Sequence, residues 1–188
     1  MGTLKLHWLG QPFVEMNGRA IKLETRKAAA LLSYVSLAPG DCHRELLATM
    51  FWPEGSQQKA LANLRRTLSS LNSSLPDWIE ANRETINLKR IETLWVDVEA
   101  FQQSHTQLIE HNHLEKEARD DSHATLEKMI ELYRGEFLEG LNLTDAPDFD
   151  EWQFFQRDSL RQKFADVLQR LAAGYGERNQ WEQAITCA

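Results

Sequence analysis

The residues best placed to do chemistry lie between positions 56 and 75, in SQQKALANLRRTLSSLNSSL, and that chemistry is neutralisation of a polyanion. Leu61, Leu64, Leu68, Leu71 and Leu75 recur every three or four residues, which makes one narrow apolar stripe on a helix. At 100° per residue the opposite side carries Lys59, Ala62, Arg66, Ser69, Ser70 and Ser73, with Asn63 and Arg65 on its flanks. No Asp or Glu occurs between Gly55 and Pro76. A helix with a buried seam and a basic, hydroxyl-rich outer face suits the groove of a nucleic acid. An ordinary amphipathic helix with a basic solvent face is the plain alternative.

Other constellations carry less. His105, His111, His113 and His123, with Asp120 and Asp121, contain one possible ligand pair, His111-x-His113. The segment reads as a solvated connection, whereas metal ligands need rigid, supported positions. Asp148 and Asp150 suit the first turn of a helix better than general acid–base work. No Gly-rich phosphate loop, nucleophile elbow or dinucleotide fingerprint is present. The expectation is a protein without catalytic residues, cofactor or bound metal.

The elements that would position the basic helix can be read in order. Alternation predicts a strand over 4–9, then a short strand over 13–16 opened by Pro12. Asn17-Gly18 predicts a type I′ hairpin turn, with the return strand over 19–23. Thr25 can cap a helix from Arg26, with Ala28, Leu31, Leu32 and Val35 inward and Pro39-Gly40-Asp41 at its end. A second helix is expected over 43–52, burying Leu46, Leu47, Met50 and Phe51, and Pro53 stops it. After the Glu54-Gly55 turn, Ser56 can cap the basic helix. Two helices joined by a short glycine-containing turn form a helix-turn-helix, whose second helix is the reader. A hairpin follows, 78–81 and 86–88, with Asn82-Arg83-Glu84-Thr85 between its strands.

Sheet, three helices and a hairpin together describe a winged helix over 1–95. Lys59, Ala62, Asn63, Arg66, Ser69 and Ser70 are its candidates for reading base edges in the major groove. Arg26, Lys27, Arg44, Arg65, Ser73, Arg83 and Thr85 are its candidates for the sugar–phosphate backbone.

These residues resemble the Streptomyces antibiotic regulatory protein family, whose DNA-binding half is an OmpR-type winged helix. The matches are Leu9-Gly10, Thr25-Arg26-Lys27, Ala30-Leu31-Leu32, Arg44-Glu45-Leu46, Phe51-Trp52-Pro53 and Asn63-Leu64-Arg65 with Leu68 and Leu71. The second half resembles the bacterial transcriptional activation domain that accompanies it. Its marks are Val96-Asp97-Val98 with Phe101, the run from Leu132 through Tyr133, Arg134, Gly135, Glu136 and Phe137 to Leu138, and Trp152. Two features depart from the family pattern: Asn72 stands where Arg or Lys is common, and Ile86-Asn87-Leu88 is less basic than the usual return strand. The resemblance implies a bacterial activator that binds double-stranded DNA, as a homodimer on direct repeats, and recruits RNA polymerase through its sigma-factor region.

Charge divides the chain in the same place. Residues 1–95 hold 12 Lys/Arg against 9 Asp/Glu, and residues 96–188 hold 9 against 19. The net charge of −7 therefore hides a basic first half and a strongly acidic second. Cys42 and Cys187 form no disulfide or zinc spacing, and no apolar run is long enough to span a bilayer. A soluble cytoplasmic, nucleoid-associated protein with no membrane partner is expected.

In 96–188 an all-α domain is expected, beginning with a helix capped by Asp97 that carries Val98, Phe101 and Leu108. An exposed connection follows over 111–123, then a helix from Ala124 carrying Leu126, Met129, Ile130 and Tyr133. A long helix led by Asp148 and Asp150 should turn Trp152, Phe155, Leu160, Phe164, Val167, Leu168 and Leu171 inward. Tyr175 and Ala184 match part of a tetratricopeptide helix pair that Trp181 would continue, so the chain is expected to be the front of a longer regulator. The rival to DNA binding is a helical interaction scaffold whose winged helix binds protein.

Overall fold

The computed structural model describes residues 2–111, 118–180, 182 and 185. Three antiparallel strands open it: β1 (Leu4–His7), β2 (Phe13–Met16) and β3 (Arg19–Ile21). Asn17 and Gly18 both have positive φ, as a type I′ turn requires. Helix α1 (Arg26–Leu37) starts at Thr25, whose hydroxyl accepts the Ala28 amide at 3.0 Å. A two-residue strand, β4 (Cys42–His43), leads into α2 (Arg44–Phe51), and α3 (Gln57–Ser74) follows with Ser56 as its cap. The hairpin β5 (Ile79–Ala81) and β6 (Thr85–Leu88) comes next, then β7 (Leu94–Val96). Helices α4 (Asp97–His111), α5 (Ala118–Leu132) and α6 (Pro147–Glu177) complete a mixed α and β fold.

Two joins hold these elements in place. β4 pairs with β6, so the hairpin is the outer part of a three-stranded sheet that also carries the start of α2. β7 returns beside β1 in parallel, which makes the first sheet four-stranded in the order β3-β2-β1-β7. Neither β4 nor β7 is foreseen above. Both are too short for alternation to mark them, and each exists because a partner edge is available.

One apolar core runs from Leu4, Leu6 and Trp8 through Leu31, Phe51, Leu64 and Trp78 to Phe101, Met129, Phe149 and Leu171. The two halves of the chain meet within it. Trp152 packs on Tyr34, Phe137 and Phe149, and Phe51 packs on Phe149.

Some expected inward residues face out. Leu46 is 69% exposed, because the α2 surface against the core is taken by Leu47, Ala48 and Phe51. Phe155 is 60% exposed beside Phe154, since Gln153 and Leu160 occupy the inner side of that stretch of α6. The expected exposed connection is shorter than 111–123, as α5 begins at Ala118. His113, the side chains of His111, Asp120 and Asp121, and the repeat marks Trp181 and Ala184 lie outside the described residues. Among the described residues no group of three or more His, Cys, Asp or Glu is placed to hold a metal, and no helix is long and apolar enough to cross a membrane.

Candidate nucleic-acid interface

Helix α3 owes its seating to four buried side chains on one side, Ala60, Leu64, Leu68 and Leu71, with Leu75 just past its end. Each apolar side chain removed from water stabilises the seat by roughly 1.5–3 kcal/mol for a leucine. Gly55, at φ 103, turns the chain into the helix, and the Ser56 hydroxyl accepts the Lys59 amide. That leaves Lys59, Arg65, Arg66, Ser69 and Ser73 exposed along the outer side. Ala62, Asn63 and Ser70 are half-buried on its margins.

A groove of about 1000 Å³ opens between the start of α2, the middle of α3 and the hairpin turn. Arg44, Arg65 and Arg83 line it, with Leu46, Leu61 and Asn82, and with Glu45 and Glu84 as its carboxylates. A shallower depression of about 470 Å³ shares Arg44 and Arg65 and continues along Ser69, Asn72 and Ser73. The hairpin is fixed to the groove by Arg44, whose guanidinium donates to the Asn82 carbonyl at 3.1 Å. The Arg44 amide donates to the Glu84 carbonyl at 2.8 Å. Partial burial, and then the neighbouring Arg65 charge, holds the Arg44 guanidinium below its ordinary pKa. Two cations thus stand close enough to repel, an arrangement that an anion between them would relieve.

Among the described residues, none of Lys59, Arg65, Arg66, Arg83 and Arg26 has a carboxylate within ion-pair distance. Arg26 lies apart from the groove, at the start of α1. The turn that carries Arg83 is built by Asn82, whose Oδ1 accepts the Glu84 and Thr85 amides at 2.7 Å each. An Asn at that place in a four-residue turn is a readable signal for such a turn.

Two of the expected backbone contacts are otherwise engaged. Lys27 points into the molecule, where its ammonium donates to the Phe51 carbonyl at 2.6 Å and to Asp145 at 2.8 Å and lies over the Trp52 ring. Its side chain is 17% exposed, so it ties α1 to the segment before α6 and is not a free phosphate contact. Thr85 is 7% exposed, and its hydroxyl accepts from the Asn82 side-chain Nδ2 within the turn. Two serines are partnered as well. Ser70 donates to the Glu24 carboxylate at 2.6 Å, and Ser73 donates to the Ser69 carbonyl at 2.9 Å. Asn72, noted above only as a departure from the family pattern and not among the candidate contacts, lies in the depression beside Arg65.

One buried carboxylate lies at the centre of a joint between the acidic half and this unit. Asp97 is 1% exposed and accepts the amides of Trp8, Leu9 and Val98 at 2.8–2.9 Å, with the Arg134 guanidinium at 3.3 Å. Burial pushes its carboxyl above the ordinary range, while the three amides and Arg134 pull the other way. Around it, Leu9 bridges Phe137, and Gly10 and Glu136 to Glu139 exchange backbone hydrogen bonds. Gly10 lies against Arg134 and Gly135 with φ 98, a backbone conformation that residues with a side chain rarely adopt. The Leu9-Gly10 and Arg134-to-Leu138 marks are therefore two sides of one joint.

Comparison with known proteins gives a fold. No family model matches the sequence, and no curated protein matches it. Among solved structures, the chain is similar to Mycobacterium tuberculosis EmbR in complex with a low affinity phosphopeptide, with a TM-score of 0.68 at 15% identity. The match covers 100% of this chain and 58% of the EmbR chain. EmbR is a regulator of the Streptomyces antibiotic regulatory protein family, and its fold is shared. The chain spans somewhat more than half the length of that relative.

Proposed function

We propose that this chain is a sequence-specific DNA-binding transcriptional regulator, an activator, with a winged helix over 1–95 and a helical activation domain over 96–188. The observation that carries the reading is the row of unpaired cations on α3 and around the adjoining groove, in a chain of net charge −7. In this reading α3 enters the major groove, and the β5–β6 hairpin is the wing that meets the neighbouring backbone. Arg44, Arg65 and Arg83 face one sugar–phosphate strand held between helix and wing, which is why they line a common groove. Lys59, Arg66 and Ser69 face the base edges.

The acidic half takes no part in holding DNA. Its role is to dock the transcription machinery, RNA polymerase with its sigma factor, when two copies sit on direct repeats. No step of catalysis, cofactor or metal is assigned, and the protein works in the cytoplasm at the nucleoid. The EmbR-like fold supports this reading. A scaffold that binds protein through the same face is the competing account.

Selection of bound duplexes from a random pool tests the proposal and reports the site and repeat spacing together. With that site in hand, Arg66→Ala is expected to weaken the selected duplex by about 1–3 kcal/mol and to relax preference at one position. Equal losses on selected and random duplexes would make Arg66 a phosphate contact. Failure to enrich any sequence would favour the scaffold.

A further inference from the structure

The first half of α6 is anchored by its inner side. Phe149 and Leu160 are fully buried, and the Gln153 side-chain amide donates to the Leu138 and Leu141 carbonyls at 3.3 and 3.0 Å. With the helix held about its axis in this way, the opposite side cannot roll inward. That side carries Phe154 and Phe155, 63% and 60% exposed, with ring centroids 5.8 Å apart in an edge-on pair. A lone apolar residue in water is ordinary, but two adjoining aromatic rings that project from one helix make a patch of the kind that partners cover.

The uncompensated charge beside the rings has one sign. Asp148, Asp150 and Glu151 are exposed in the two turns before Phe155, and among the described residues none has a Lys, Arg or His within ion-pair distance. The cations that follow on the helix are engaged. Arg157 lies 3.6 Å from the Glu136 carboxylate and donates to the Phe137 carbonyl, and Arg161 pairs with Asp158 at 3.0 Å. An apolar patch with a free negative margin repels a polyanion or an anionic bilayer and attracts a cationic protein surface. The backbone groups of a helix bond within it, so no strand can be added there. Recognition runs through side chains, as when one amphipathic helix is laid on another.

We infer that Phe154 and Phe155 are the docking point for a cationic amphipathic helix of another protein, whose apolar residues cover the two rings while its Lys or Arg side chains meet Asp150 and Glu151. The inference rests on the docking role proposed for the acidic half, and adds to it the surface and the chemistry of the partner.

A capped leucine–lysine peptide of helical periodicity serves as the probe, with its leucine–glutamate analogue as counterpart, each titrated into the full chain and followed by amide NMR shifts. Saturable shifts centred on 148–162 are expected for the lysine peptide, with at least roughly tenfold weaker binding of the glutamate one. Replacing both rings, Phe154→Ser with Phe155→Ser, should weaken the lysine peptide roughly tenfold, and Glu151→Lys roughly fivefold. Glu131→Lys, which removes an exposed carboxylate on α5, should leave affinity within about twofold. The amide spectrum of each variant reports its fold at the same time. Shifts spread over the acidic half without that centre, equal binding of the two peptides, or a double serine variant that binds as wild type does would overturn the assignment. Concentration-dependent dimerisation abolished by the double serine variant would overturn it in favour of a second copy of this chain. Duplex binding and polymerase recruitment, measured separately, can fail while the peptide result stands.

Discussion

The α3 face and the Asp97 joint treat charge in opposite ways. At the joint a single carboxylate is driven out of water and then given three amides and a guanidinium. On α3 and along its groove, Lys59, Arg65, Arg66 and Arg83 lie exposed, and among the described residues none has a carboxylate within ion-pair distance. A buried charge must be satisfied internally or the fold does not form. Exposed charge of one sign, left unneutralised over several turns, costs the fold little and is available to something outside it. Internal satisfaction therefore marks architecture, and its absence marks a surface for a partner.

The contrast can be broken at its strongest point first. Asp97→Ala leaves three amides of the joint without an acceptor, at about 1–3 kcal/mol each. The expected loss, roughly 3–5 kcal/mol in urea unfolding, should come with no change in duplex affinity of the remaining folded protein. A stable variant would show that water replaces the carboxylate and that the joint is not what Asp97 holds.

Lys27 sharpens the boundary between the two classes. It stands next to Arg26 in sequence yet belongs to the joint side, through Asp145 and the Phe51 carbonyl. Lys27→Met should lower stability by about 1–2 kcal/mol and leave duplex affinity within twofold. Loss of affinity without loss of stability would return Lys27 to the cationic face.

His7 gives the smallest effect, and it depends on pH. Burial, and then the Arg134 charge, lowers its pKa from 6.5 to about 4, and the ring stacks on Phe13 at 3.9 Å. The native form is neutral, so the unfolded chain binds the extra proton, and stability falls as pH drops from 6.5 towards 4. His7→Phe should lose less of its urea midpoint than wild type between about pH 7 and pH 5. Parallel losses would assign the acid sensitivity to other groups.

Much of this was legible in the residues. Asn17-Gly18, the Thr25 and Ser56 caps, Pro53 and the leucine stripe of α3 are local signals, and the structure places each as its local chemistry requires. What could not be read is what depends on distant partners. β7 exists through β1, Lys27 is withdrawn by Asp145, and Ser70 is engaged by Glu24 across 46 residues. Leu46 illustrates a further limit, since an apolar residue at a helical position is left in water when its neighbours already fill the core. For the cationic face, composition and spacing indicated which helix carries the charge. They could not indicate that Arg44, Arg65 and Arg83 share a groove, because the hairpin is brought there by β4 pairing with β6.

The unpaired cationic face is tested most directly by duplex DNA affinity across a salt series, with wild type and the Arg65→Ala/Arg66→Ala pair side by side. With about five phosphates neutralised, log affinity should fall against log salt with a slope near −4.5. The double variant should bind more weakly, with a slope shallower by roughly 1–2. A flat dependence, or a double variant that binds DNA as wild type does, would contradict the account.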